Sequence, residues 1–346
     1  MKNELINKTM IQITLVICII LAVSSCTDVD HTNDFSTSPT LNFIPYTKNA
    51  ENTKAVFNDN TNSTIGVSTY TISNSSNSVA KEYFSDRLAN SGYGWSTSTT
   101  RNWPATTCGT NNTEKLAIFA VIPNSISLDD YDYISTNSYE KPSFIYKVNH
   151  SAENQEDVLV SYTEADYNTS SNGTIGMKFN SVLSKINIEL KGQSLSNLNV
   201  TYSVKSIIIN GRISDTGRYS FTDGLMTAVN ESRYNTFAYP IDNVNEWNAE
   251  TNPNSWNNRR VSGNDNFSGT GYEISLMMIP QNLYGKDVTI DVEYSVVINN
   301  ITIFEGTHSS KINDSWTQGQ EYTYNVFLPN NAQEITFSPT VENWTE

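Results

Sequence analysis

The stretch Val288-Thr289-Ile290-Asp291-Val292-Glu293-Tyr294-Ser295-Val296-Val297-Ile298-Asn299-Asn300-Ile301-Thr302-Ile303-Phe304 sets the fold class. Val288, Ile290, Val292, Tyr294, Val296 and Ile298 alternate with mostly polar residues, the period of a strand with one buried face and one mostly wet face. Asn299-Asn300 then separates this run from Ile301-Thr302-Ile303-Phe304. Asparagine tolerates the positive φ that a two-residue hairpin turn requires, so the segment reads as a β-hairpin.

Similar runs lie on both sides of it. Ile65 to Ile72, Leu116 to Ile122, Phe144 to Val148, Ile186 to Leu190, Tyr202 to Ile209, Tyr234 to Tyr239, Ile274 to Ile279 and Tyr322 to Leu328 are rich in β-branched or aromatic residues. Each is bounded by Asn, Gly, Ser or Pro, and many short strands with frequent turns predict an all-β chain of sandwich type. One helix is expected over Val79 to Ala89, where Ala80, Tyr83, Phe84 and Leu88 share a face. Asn77 or Ser78 would cap its start and Gly92 would stop it.

Asn-Thr-Ser-Ser-Asn-Gly, near Thr169 to Thr174, interrupts the strand pattern. It predicts an N-terminal β-sandwich over 41–173 and a C-terminal one over 174–346, with a single larger sandwich as the alternative. No short-period repeat of the solenoid kind is present.

The amino terminus reads as an export signal over residues 1–25. Lys2 and Lys8 precede an apolar run from Ile11 to Val23, which is shorter than the ~20 residues needed to cross a bilayer as a helix. Val23-Ser24-Ser25-Cys26 is similar to a bacterial lipobox, which predicts cleavage after Ser25 and acylation of Cys26. Several acyl chains give durable attachment, at about 0.8 kcal/mol per buried methylene, where one chain is marginal. An ordinary cleaved signal is the alternative. Residues 26–40 are polar, acidic and apolar-poor, as suits a tether. With Cys18 lost and Cys26 lipidated, Cys108 is expected to stand alone, without an intramolecular disulfide in the mature chain.

The net charge of −15 repels phosphate backbones and anionic headgroups, which argues against a nucleic-acid partner. Only 16% of residues are charged while 37% are hydrophobic, a balance that favours packed cores over disorder.

Catalytic chemistry finds little support. His31, His150 and His308 stand far apart, with no His-x-x-His, His-Glu-x-x-His or Cys-x-x-Cys spacing, no Gly-x-Ser-x-Gly elbow and no phosphate loop. Asp129-Asp130 with Asp132 lacks the Gly and terminal Glu of a calcium loop and reads as a turn. Asp223, Asp242 and Asp265 are scattered. No enzyme activity, cofactor or metal is expected. Tyr93, Trp95, Trp103, Trp247 and Trp256 lie in polar stretches, where exposed rings stack on sugars. Trp103 is expected in the core, leaving Trp247 and Trp256, near Arg259 and Arg260, as candidate ligand contacts against the plainer reading of loop packing.

Several phrases in order resemble the fimbrillin family of Bacteroidetes surface lipoproteins, the subunits of type V pili. They begin with a first strand, Leu41-Asn42-Phe43-Ile44-Pro45-Tyr46, and Thr53-Lys54-Ala55 where the family often has a Thr-Arg-Ala-like element. Trp103-Pro104 follows, then Leu116-Ala117-Ile118-Phe119-Ala120-Val121-Ile122-Pro123 and Leu183-Ser184-Lys185-Ile186. Later come Ile279-Pro280-Gln281, Trp316-x-x-Gly319-x-x-Tyr322-x-Tyr324 and the close Ile335-x-Phe337-x-Pro339-x-Val341-x-x-Trp344. No single phrase is specific; their order is.

The resemblance implies two tandem transthyretin-like β-sandwich domains, a lipid-anchored precursor at the outer membrane and cell surface, and polymerisation into a fimbria by donor-strand exchange. Partners would be other fimbrillin-like subunits and a host protein or glycan receptor. In the family, a protease cuts after a basic residue behind the first strand, that strand departs, and a strand of the next subunit fills the groove. Here the candidate cut is Lys54/Ala55, with Lys48 second; lysine in place of arginine departs from the arginine-directed processing best known in the family.

The chemistry of such an exchange is legible at the carboxyl end. Ile335, Phe337, Pro339 and Val341 share one parity and Glu334, Thr336, Ser338, Thr340 and Glu342 the other. An added strand satisfies unpaired backbone groups and an apolar slot together. Burying four such side chains is worth on the order of 6 to 12 kcal/mol before ordering costs. Pro339 confines the segment to a register that needs no N–H there. The alternative is that this segment is the last edge strand of its own domain. Two readings of function remain: a structural or adhesive fimbrial subunit, and a non-polymerising surface lipoprotein that binds glycans.

Overall fold

A computed structural model of the chain describes residues 38–47, 64–73, 81–90, 94–108, 113–128, 141–170, 173–192, 200–239, 245–248, 275–328 and 336–343. The strands of the amino-terminal half are β1 (Asn42–Thr47), β2 (Ile65–Ser73), β3 (Lys81–Asn90), β4 (Trp95–Thr97), β5 (Glu114–Ile122), β6 (Ser143–Lys147), β7 (Leu159–Ala165) and β8 (Thr174–Ser181). Next come β9 (Ser184–Gly192), β10 (Val200–Arg212), β11 (Thr216–Ser220), β12 (Leu225–Val229), β13 (Tyr234–Tyr239), β14 (Asn245–Asn248) and β15 (Leu276–Met278). The last are β16 (Gln281–Asn282), β17 (Val288–Ile298), β18 (Ile301–Ile312), β19 (Ser315–Trp316), β20 (Gln320–Leu328) and β21 (Thr336–Asn343). The described residues contain no α-helix, and the all-β class is as expected.

Seven strands close into a ring in the order β1-β4-β3-β2-β5-β7-β8. The carboxyl-terminal half builds one sheet from β13-β10-β17-β18, with β14 also on β10, and a second from β15-β9-β20-β21. A three-stranded sheet, β12-β11-β6, draws β6 out of the amino-terminal half. The expected cut at 173/174 falls inside the ring, because its turn residues form the β7–β8 connection and β8 runs on to pair with β1. Pairing changes hands at Val182 and Leu183, both fully buried.

The opening hairpin is formed as read: β17 buries Val288, Ile290, Val292, Tyr294 and Val296, and Ile298 pairs with Ile301 across the turn. Asn299 and Asn300 have φ of 51° and 65°, the left-handed pair that such a turn demands.

The helix expected over Val79 to Ala89 is, from Lys81 onward, the strand β3 instead, paired to β2 on one side and β4 on the other. Phe84 and Leu88 are buried. A spacing of four residues keeps a face in both periods, 3.6 and 2, so it did not discriminate. Asp86 sits between them on the same strand parity, where an apolar residue would have revealed the alternation; its carboxylate accepts from Ser98 Oγ at 3.1 Å and lies 3.8 Å from Arg101.

Two cores result. Leu41, Phe43, Ile65, Trp95, Trp103 and Phe179 are among those filling the ring. The larger core runs through the carboxyl-terminal sheets and onto the outer face of β5. β5 therefore serves both: Leu116, Ile118 and Ala120 point into the ring, Ala117, Phe119 and Val121 into the larger core. That two-sided burial explains its unbroken apolar run. Cys108 is buried in the ring core.

Candidate assembly site

The first strand is held in an unusual way. β1 runs parallel to β8 over its whole length, with Phe43 opposite Ile175, Pro45 opposite Met177 and Thr47 opposite Phe179. On its other side it meets β4 only at Phe43 and Trp95. A parallel pair between the first strand and one so much later has no short connection, so only packing and the ladder hold β1 in place.

Its side chains alternate strictly. Phe43, Pro45 and Thr47 are buried, as is Leu41 just ahead of them, while Ile44 and Tyr46 face out at 54% and 37% exposure. Burying Leu41 and Phe43 contributes about 3 to 6 kcal/mol gross. The Thr47 hydroxyl, inside the ring, has no hydrogen-bond partner among the described residues. A buried hydroxyl left unpaired costs about 1 to 3 kcal/mol.

The segment before β1 is latched to the Trp-Pro phrase. Leu41 N–H donates to Arg101 C=O and Trp103 N–H to Pro39 C=O, both at 2.8 Å. Trp103 itself is fully buried, with Nε1 donating to Gly173 C=O at 2.9 Å. Tyr83 Oη donates to Asn102 C=O at 2.6 Å, and burial raises its pKa, with Arg101 pulling weakly the other way. Arg101 lies over the Phe84 ring, 5.2 Å from its centroid.

At the carboxyl end, β21 pairs antiparallel with β20 and has no second neighbour among the described residues. In that register Phe337, Pro339 and Val341 stand opposite Val326, Tyr324 and Tyr322. Val341 is 51% exposed, so this edge covers it poorly.

Other sequence candidates fall elsewhere. Ser25, Cys26, Lys54, Ala55, Trp256 and Ile335 lie outside the described residues, as do His31, Asp129, Asp130 and Asp132. Trp247 is in β14, opposite Tyr202 of β10. Trp95 is buried, which removes it from the set of exposed rings. His150 and His308 are far apart in the pairing, on Asp215 and Tyr294 respectively, and no cluster of metal-ligating side chains occurs among the described residues. Sequence reasoning missed the unpartnered Thr47 hydroxyl, which carries no signal before its burial is known.

The remaining phrases are structural. Gln281 braces the turn at Ser214, accepting from its N–H at 2.8 Å and donating to its C=O at 3.1 Å. Trp316 Nε1 donates to Tyr324 Oη at 3.0 Å, and Gly319, at φ 67°, donates its N–H to Leu183 C=O at 2.9 Å.

The fold is similar to that of a fimbrial protein from Bacteroides vulgatus, with a TM-score of 0.58 at 17% identity over 88% of this chain and 99% of that one. It is also similar to a candidate cell adhesion protein from Bacteroides uniformis, with a TM-score of 0.51 at 11% identity over 89% and 99%. No curated protein matches the chain. A family model described as fimbrillin-like matches residues 47–344, and on that match the chain belongs to the fimbrillin-like family.

Proposed function

We propose that the protein is a structural or adhesive subunit of a type V-like fimbria, exported to the cell surface as a precursor lipidated on Cys26 after cleavage at Ser25. The observation that carries this reading is the state of β1. It is a short first strand that closes a ring, touches β4 at one position and buries one parity of side chains in a slot along β8. Removing such a strand leaves an apolar groove and a row of unpaired backbone groups, which another strand fills.

Cleavage behind β1, at Lys54/Ala55 or at Lys48, would free it, and a neighbouring subunit would supply the replacement. Tandem transthyretin-like sandwiches are the arrangement that this assembly implies. The work is binding and polymerisation, without an enzyme step or cofactor. The glycan-binding alternative would rest on Trp247 and Trp256, since Trp95 and Trp103 are both buried.

Amino-terminal sequencing of filament material, combined with antibody labelling in electron microscopy, tests the reading. Label along or at the ends of filaments, with a mature start behind β1, is the expected result. Label confined to the membrane, on chains beginning at Cys26, would overturn it.

A further inference from the structure

β18 is the longest open strand edge among the described residues. It spans Ile301–Ile312, pairs with β17 along one side, and has no neighbour among the described residues on the other. A bare side of this kind presents a row of backbone donors and acceptors, a template for another strand. We propose that the strand it takes is β18 of a second copy of this chain, antiparallel to the first about a two-fold axis at His308, so that the two carboxyl-terminal sheets continue into each other. The contact goes beyond the fimbrial reading and does not depend on strand exchange along β8.

The sequence of the strand carries the register. Beyond the bulge opposite Val296 and Val297, Phe304, His308 and Ile312 lie on the core face, across from Val296, Val292 and Val288. Glu305, Thr307, Ser309 and Lys311 face solvent. Centring the pair on His308 puts Glu305 opposite Lys311 of the second copy, Thr307 opposite Ser309, and Phe304 opposite Ile312, each twice by symmetry. Both faces are then complementary: acid meets base, hydroxyl meets hydroxyl, and apolar meets apolar. Glu305 and Lys311 are the acid and the base of this strand. A shift by two residues puts Glu305 opposite Ser309 or Asn313 and loses both charge pairs. A shift by one sets solvent-facing residues against core-facing ones.

The groups are open to such a partner. The Glu305 side chain is 60% exposed although it reaches Lys205, and that of Lys311 is 74% exposed with Asp287 at 3.6 Å. His308, on the axis, is held to Tyr294 Oη at 2.8 Å, and burial lowers its pKa, so the two rings meet uncharged at neutral pH. Charged residues usually guard an edge against pairing; here the guards of one copy are the complements of the other. A two-fold contact is closed, so association stops at two and joins subunits side by side. One edge is a small interface, which makes the dimer of the isolated protein a weak one.

The test uses the chain from residue 26 onward with Cys26→Ser, which leaves out the lipid. Sedimentation equilibrium should show monomer and dimer exchanging in the micromolar range. Glu305→Lys should weaken the dimer about tenfold, since symmetry repeats the reversed pair while exposed pairs are individually modest. Adding Lys311→Glu should restore it. Six strand residues hold these two side chains about 20 Å apart within one copy, so the rescue acts only across the axis.

Register is read by disulfide formation between Thr307→Cys in one copy and Ser309→Cys in the other, both at exposed positions that the fold does not need. A mixture of the two single variants should crosslink far faster than either alone, because the same residue of two copies sits a diagonal apart. That readout holds even where a charge variant folds poorly. Absence of the mixed disulfide overturns the proposal and leaves the edge to another occupant. A dimer indifferent to Glu305→Lys, or single variants that crosslink as fast as the mixture, overturns it as well.

Discussion

Trp103 reaches from the latch ahead of β1 to the turn before β8, its Nε1 donating to the Gly173 carbonyl at 2.9 Å. Gly173 has φ of +72°, and a Cβ there would lie 2.9 Å from the Tyr167 ring and 3.3 Å from Trp103 Nε1. The two residues thus lock the segment ahead of β1 to the turn before β8. Trp103→Phe should cost about 1 to 3 kcal/mol by leaving a buried carbonyl unpaired. Gly173→Ala should also destabilise, by about 1 kcal/mol or more from backbone strain. Urea unfolding of each variant measures this, and a wild-type midpoint for both would contradict the lock.

Along β1 the two parities should behave differently. Phe43→Ala removes a ring buried against the Ile175 position and should cost about 3 to 5 kcal/mol of local stability. Ile44→Ser, on the exposed face, should stay within about 0.5 kcal/mol. Hydrogen exchange at Thr174–Phe179 reports the difference, since those amides lie along β1. Fast exchange in the serine variant, with slow exchange in the alanine variant, would reverse the assignment of faces.

Aromatic rings of the larger core hold β5, a strand of the ring, from its outer face. Phe119, on the outer face of β5, meets Phe221 edge-on at 5.1 Å, and Phe221 meets Phe144 and Tyr219 in turn. Phe221→Ala should therefore do more than lower stability by about 3 to 5 kcal/mol. It should split a single thermal transition into two, as the ring loses its grip on the larger core. Calorimetry that still shows one cooperative peak would place the coupling elsewhere.

How much of this was legible depended on where a residue's partner lay. Asn299 and Asn300 act within their own hairpin, so local pattern and turn chemistry were enough. β3 was misread because Asp86 occupies an inward parity for the sake of Ser98 and Arg101, partners that the local window does not reveal. β6 pairs with β11 more than sixty residues later, and a composition break near Thr169 says nothing about that crossover. The alternation of the carboxyl-terminal ribbon was plain from its sequence, whereas the parallel pairing of β1 with β8 joins strands more than a hundred residues apart and left no local trace.

His308 gives the larger core a dependence on pH near neutrality. Its Nδ1 lies 2.8 Å from Tyr294 Oη and its ring stacks on Phe304 at 4.6 Å, on the strands of the opening hairpin. Burial lowers its pKa from the ordinary 6.5, so the folded protein binds this proton less tightly than the unfolded chain. Stability is then fully present above 6.5, falls as pH drops through that value, and stops falling once the folded ring is itself protonated. Asp215 acts lower on the scale: burial pushes its carboxyl up, but hydrogen bonds with Thr216, His150 and Lys147 outweigh this and hold it below the usual range. The stability that Asp215 contributes is lost only in more acid solution, which separates the two windows. Denaturant midpoints taken from about pH 8 to about pH 5 should decline in the wild type and flatten in His308→Gln, which keeps an acceptor for Tyr294 while removing the titration. An unchanged slope in that variant would assign the proton uptake to another group.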